Sequence, residues 1–176
     1  MRFLKHAYYL LINWSGPIAL SLFLLLMRIV WGWAFFMAGK GKLGNIDRPI
    51  GFFKELGIPA PTFNAWLVAI VETVGGLLLL AGLGARAAGI ALIINMTVAY
   101  LAADTEAVKT LFTDSDPGKF VSATPFWFLV TAFLVFALGP GMFSLDAILK
   151  RFVFRDAKLE GRGFDVVRPA RESSLR

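Results

Sequence analysis

The chain has 176 residues, of which 57% are hydrophobic, with a net charge of +6, one histidine and no cysteine. A mean hydropathy of +0.69 is far above what a soluble core of this length requires, so the composition specifies a membrane protein. The missing cysteines exclude a disulfide framework, a thiol relay and thiolate-held iron–sulfur clusters, and His6 alone cannot provide bis-histidine haem ligation.

A membrane-spanning helix needs ~20 mostly apolar residues, because each residue rises ~1.5 Å through a hydrocarbon layer of ~30 Å. Before any such run, residues 1–16 mix Arg2, Lys5 and His6 with Phe3, Tyr8, Tyr9 and Trp14. That mixture predicts an interfacial amphipathic segment, broken at Ser15-Gly16-Pro17, with Pro17 opening the next helix. Four apolar runs follow, Pro17 to Ala38, Phe63 to Leu83, Ala87 to Ala103 and Thr124 to Leu138. Between the first two, Ile50 to Leu56 predicts a short surface helix that Gly57, Pro59 and Pro61 terminate. Leu83 to Arg86 is only a tight turn, which makes its flanking helices antiparallel neighbours. Asp104 to Ala123 reads as a polar loop around Asp114-Ser-Asp-Pro-Gly. Gly139-Pro-Gly stops the last run, and Ser144 caps an interfacial helix over 144–155 with Leu145, Ile148, Leu149 and Phe152 as its apolar stripe.

The expected fold is therefore an all-α membrane protein, a four-transmembrane-helix up-down bundle over 17–143 with interfacial amphipathic helices at both ends. Residues 156–176 are expected to form a basic cytoplasmic tail. Eleven lysines and arginines fall in the N-terminus, the middle turn and the region after the last run, against six in the alternate loops. That asymmetry predicts cytoplasmic termini. The basic tail then suits anionic lipid better than nucleic acid, which is not expected as a partner.

Two apolar runs carry a charge at membrane depth, Arg28 and Glu72. Each costs ~2.5–3.5 kcal/mol to insert at a helix centre, so each is expected to face the bundle interior and find a partner. An Arg28–Glu72 pair is the expectation, with Asn95 joining the same network. Gly32, Phe35 and Gly39 share a helix face with Arg28, and Gly75 and Gly76 share one with Glu72, allowing close helix approach. These groups either bind three helices together or line a cavity for a small polar head. Trp31, Trp33, Phe35, Phe36, Phe52, Phe53 and Trp66, with Lys40 and Lys42, read either as an ordinary interface belt or as the walls of a flat-ring pocket. No ligand-spaced metal cluster is expected, since Glu72 and Asp146 are far apart in sequence.

The ordered set Arg28-(x)3-Gly32-(x)2-Phe35-(x)3-Gly39-(x)2-Lys42, Gly57-Ile-Pro, Glu72-(x)2-Gly75-Gly76, Gly82-(x)3-Arg86 and Gly139-Pro-Gly-Met-Phe-Ser-Leu-Asp-Ala resembles the DoxX family of bacterial and archaeal membrane proteins. The resemblance runs from about Leu20 to Leu149. The family takes its name from a small subunit of an archaeal thiosulfate:quinone oxidoreductase, so the resemblance implies a quinone-linked subunit of the cytoplasmic membrane. On that reading Arg28, Trp31, Phe35, Lys42, Glu72 and Asn95 hold a quinone-like ring. Other membrane or membrane-associated redox subunits supply electrons, and the chain is at most a non-autonomous part of an oxidoreductase. The competing reading is a structural subunit packed against a larger respiratory or photosynthetic complex; a small-solute carrier or lipid chaperone is a third.

Overall fold

The computed structural model describes residues 2–113 and 117–153, and within them every regular element is helical. The helices are α1 (Arg2–Gly44), α2 (Asp47–Glu55), α3 (Pro61–Ala81), α4 (Ala85–Ala103), α5 (Thr105–Thr113), α6 (Pro117–Ser122), α7 (Pro125–Leu138) and α8 (Leu145–Val153). The basic tail expected over 156–176 and the Asp114-Ser-Asp turn centre lie outside the described residues.

Three helices are long and apolar enough to cross a membrane: α1 over Ser15–Gly44, α3 and α4. The fourth apolar run forms α7, whose 14 residues extend ~21 Å, less than the hydrocarbon thickness. Large apolar side chains such as Leu26, Ile70, Ile94, Leu101 and Phe133 stand exposed around the outside. In water that surface would drive aggregation, whereas acyl chains solvate it.

Two local expectations are corrected. Helix α1 runs without interruption through Ser15-Gly16-Pro17, so Pro17 lies inside it rather than opening a second helix. Proline removes one donor, to the Asn13 carbonyl, but a helix already formed on both sides survives that single loss, and membrane helices tolerate it more readily than soluble ones. The stretch from Asp104 to Ala123 is not an open loop but carries α5 and α6. Tyr100, at the end of α4, stacks on Phe120 with ring centroids 4.5 Å apart and donates its hydroxyl to the Phe120 carbonyl at 2.8 Å. That contact folds α6 back onto α4.

The cap expected on α8 is present. Ser144 Oγ accepts the Ala147 N–H at 3.1 Å, the bond of an N-cap on α8. Helix α3 ends in a Schellman motif, with Leu83 N–H to Leu78 C=O at 3.1 Å and Gly82 N–H to Leu79 C=O at 3.2 Å. Gly82 adopts φ +65, a left-handed conformation that favours glycine.

Helix α1 packs along α3, α3 pairs with α4 through the short turn, and α4 packs on α7. The α1–α3 seam depends on missing side chains. A Cβ on Gly76 would lie 2.9 Å from the Gly32 carbonyl oxygen and against the Phe36 backbone nitrogen, and one on Gly39 would run into Thr73. Phe35, Leu79, Leu92, Met96, Ala132 and Val135 fill the centre.

Candidate functional site

Arg28 and Glu72 do not pair. Arg28 is 1% exposed, yet its guanidinium is satisfied by carbonyl oxygens: Nε donates to Leu79 and Nη2 to Leu80, both at 2.8 Å, while Nη1 donates to Pro140 at 2.7 Å and Phe143 at 3.0 Å. The first two carbonyls belong to the last turn of α3, where Leu79 shares its oxygen with the capping Gly82 N–H and the helix dipole favours a cation. The other two come from the loop after α7. Asp146 completes the arrangement from the opposite polarity. Its two carboxylate oxygens accept the Gly84 and Ala85 N–H groups at 2.8 and 3.1 Å, capping α4, and its own N–H returns to the Gly82 carbonyl at 2.9 Å. The α3–α4 turn is thus gripped by a cation at one helix end and an anion at the next. Arg28 clamps the end of α3 to the loop after α7, in place of the pair with Glu72 expected from the sequence.

Glu72 finds different partners. It is 4% exposed on α3, forms an ion pair with Lys42 of α1, and accepts Asn95 Nδ2 of α4 at 3.2 Å. Three helices therefore bring Lys42, Glu72 and Asn95 together, and Lys42 is fourteen residues, or ~21 Å, along α1 from Arg28. A buried carboxylate at this depth is compensated by one cation and one amide.

This cluster forms the floor of a cavity of 480 Å³ bounded by α2, α3 and α4. Its walls are almost wholly apolar, with Phe52 and Phe53 from α2, Val68 from α3, and Val98, Ala99 and Ala102 from α4. Rim residues Phe52 and Val98 are also exposed on the outer apolar surface, so the cavity faces the lipid side. A second cavity of 200 Å³ touches Lys42 and Glu72 from the α7 side, walled by Phe35, Met96, Pro125 and Phe128. The ion pair stands between the two.

Among the residues expected at a site, Lys42, Glu72 and Asn95 meet at the larger cavity, and Phe35 reaches the smaller one. Trp31 does neither. It stacks on Trp127 at 6.4 Å and packs edge-on against Phe128 at 5.1 Å, joining α1 to α7. The larger cavity thus lies on the α2–α3–α4 side, away from Trp31. Sequence reasoning missed Val68, Val98 and the alanines. Small residues at 99, 102 and 103 on one helix end were the available signal, because they leave room that larger side chains would fill.

The DoxX family pattern matches residues 23–105. An uncharacterized membrane protein of Mycobacterium tuberculosis, Rv3486, is 34% identical over 137 residues, covering 71% of this chain and 80% of its own length. The chain belongs to the DoxX family. Another relative, from Bacillus subtilis and named "Putative oxidoreductase CatD", is 36% identical over 66 residues, 38% of this chain and 48% of that protein. No solved structure matches the chain. The DoxX match includes Arg28, Lys42, Glu72 and Asn95 together with the two α3 carbonyls that Arg28 holds. Pro140, Phe143 and Asp146, the other half of the clamp, lie beyond it.

Proposed function

We propose that this DoxX protein is a membrane subunit of a quinone-linked redox assembly and that the 480 Å³ cavity receives a quinone-like ring. The observation that carries the reading is the position of the Lys42–Glu72–Asn95 cluster at the floor of an apolar, lipid-facing cavity. Sites for small ligands are typically ~300–1,000 Å³, mostly apolar, with a few convergent polar groups. Phe52 and Phe53 give the ring flat apolar surfaces, with their own ring centroids 6.3 Å apart. Lys42 has three N–H donors and spends one on Glu72, which leaves donors for a ligand carbonyl oxygen. Glu72 holds Lys42 and Asn95 in place. The family's association with quinone chemistry and the oxidoreductase name of the Bacillus relative support the same reading. With no cysteine and a single histidine, the chain lacks the ligand sets for iron–sulfur or bis-histidine haem centres, so the electrons come from a partner subunit.

The test is binding of a quinone analogue to the purified full chain, followed by tryptophan quenching. Wild type is expected to bind without turnover, and Lys42→Met and Glu72→Gln should each weaken binding about tenfold, the equivalent of one charge-assisted hydrogen bond. Unchanged affinity in both variants overturns the pocket and leaves the structural-subunit reading in its place.

A further inference from the structure

At the Arg28 end of the bundle, away from the Lys42 cavity, a groove of 650 Å³ runs between α1, the start of α4 and residues 138–150. Leu20, Leu24, Leu138 and Met142 give it apolar walls, and Arg86 and Lys150 stand at it as cations. Arg86, the second residue of α4, is exposed and lies over Gly139, where an added Cβ would be 3.5 Å from its Nη2. Lys150 projects from the same face of α8 as Asp146 and Ala147, which also line the groove. The other face of α8 presents Leu145, Ile148, Leu149 and Phe152, all exposed. A short helix with one apolar and one basic face lies in the plane of the membrane interface, which puts Lys150 at the depth of lipid headgroups.

Asp146, the acid in the groove, offsets one of the two charges but pairs directly with neither, so the lining keeps a net positive charge. Asp146 commits both carboxylate oxygens to the Gly84 and Ala85 N–H groups. Among the described residues, the ion pairs are Lys42–Glu72 and Lys109–Glu106, and neither Arg86 nor Lys150 takes part in one. Two cations without an ion-pair partner among the described residues, beside an apolar slot at headgroup depth, are complementary to a molecule with an anionic head and a hydrocarbon chain.

We propose that this groove is a binding site for an anionic phospholipid, its phosphate held between Arg86 and Lys150 and an acyl chain lying against Leu20, Leu24 and Leu138. The site is independent of the quinone reading. It would place a lipid directly over the Arg28–Asp146 clamp, whose loop is tied to α1 by the Met142 N–H to Ser21 Oγ bond at 3.3 Å.

The experiment uses the full chain in mild detergent, exchanged into mixed phosphatidylglycerol and phosphatidylcholine, with retained lipid counted by native mass spectrometry. Wild type should retain phosphatidylglycerol in preference to phosphatidylcholine. Arg86→Gln combined with Lys150→Gln should lower that preference about thirtyfold, as expected for two cations at the membrane surface. Both positions are exposed, so the fold should be unaffected, and helicity by circular dichroism checks this. Lys54→Gln with Lys119→Gln removes equal charge elsewhere and should leave the preference unchanged. An equal loss in that control would mean bulk charge attraction and overturn the site, as would full retention in the Arg86 and Lys150 variant. Displacement of the lipid by glycerol phosphate would assign the cations to a free phosphate instead and overturn the lipid assignment.

Discussion

Arg28 shows how a buried charge can be satisfied without a counter-ion. A planar guanidinium has five N–H donors, and the end of a helix has carbonyls without intrahelical donors, so the two complement each other in a medium that offers no water. Lysine cannot replace this fork, because its three donors radiate from one point. Arg28→Lys is expected to lower stability by about 3 kcal/mol, and Arg28→Met by at least as much, since both leave buried carbonyls unpaired. Glu72→Gln should destabilise through a different neighbourhood, by leaving Lys42 without its anion. Combined with Arg28→Met, its effect should add to within about 0.5 kcal/mol, because the two residues share no partner. Thermal unfolding of the four proteins in detergent measures this; a coupling well above that value would mean that the charges communicate. From sequence, the insertion cost of each charge correctly predicts burial in the bundle. It cannot predict the partner, because backbone carbonyls exist at every residue and leave no mark in the sequence. Gly82 and Gly139-Pro-Gly, which end α3 and α7, are the nearest sign that free carbonyls gather there.

Helix boundaries divide in the same way. Apolar runs long enough to cross a bilayer identify α1, α3 and α4 directly, and glycine or proline marks the ends of α2, α3 and α7. The elements that escape a sequence reading are set by tertiary contact. Helix α6 has only 6 residues, too short to show a convincing period, and is held by the Tyr100–Phe120 stack that no local pattern reveals. Pro17 reads as a break because its local cost is visible in the sequence, whereas the helix on either side that absorbs this cost is not. The α1–α3 seam is legible as glycines on facing helices, and it has a sharp consequence. Gly76→Val places branched carbons against the Phe36 and Gly32 backbone, which cannot yield as a flexible side chain could. It should cost about 1–3 kcal/mol and separate α1 from α3. Thermal unfolding in detergent reads this loss, and a melting temperature equal to the wild type's in Gly76→Val would contradict the close approach.

On the scale of the whole molecule, the two ends of the bundle differ in character. The end bearing α2, α5 and α6 holds the Lys42–Glu72–Asn95 cavity, and the end bearing the α3–α4 turn and α8 holds the clamp. The native chain contains no cysteine, so single cysteines report sidedness without background. Cysteines at Lys54 and Lys109 should label alike with an impermeant maleimide, and one at Arg151 should behave oppositely. The lysine and arginine distribution predicts that Lys54 and Lys109 react in intact cells while Arg151 is protected. Labelling of all three from one side would contradict the bundle's polarity, and the reverse pattern would invert its orientation.

The clamp also sets a timetable for biogenesis. Arg28 leaves the ribosome 112 residues before Pro140 and 115 before Phe143, so the nascent chain reaches the membrane with two of its four acceptors not yet synthesised. During that interval the guanidinium must draw on water or lipid phosphate at the bilayer surface, because no complete protein partner exists for it. Final docking of α1 therefore waits for translation to pass the end of α7. A chain cut short before Pro140 retains an arginine whose shell can never close, a defect visible to membrane quality control even when α1, α3 and α4 are all intact.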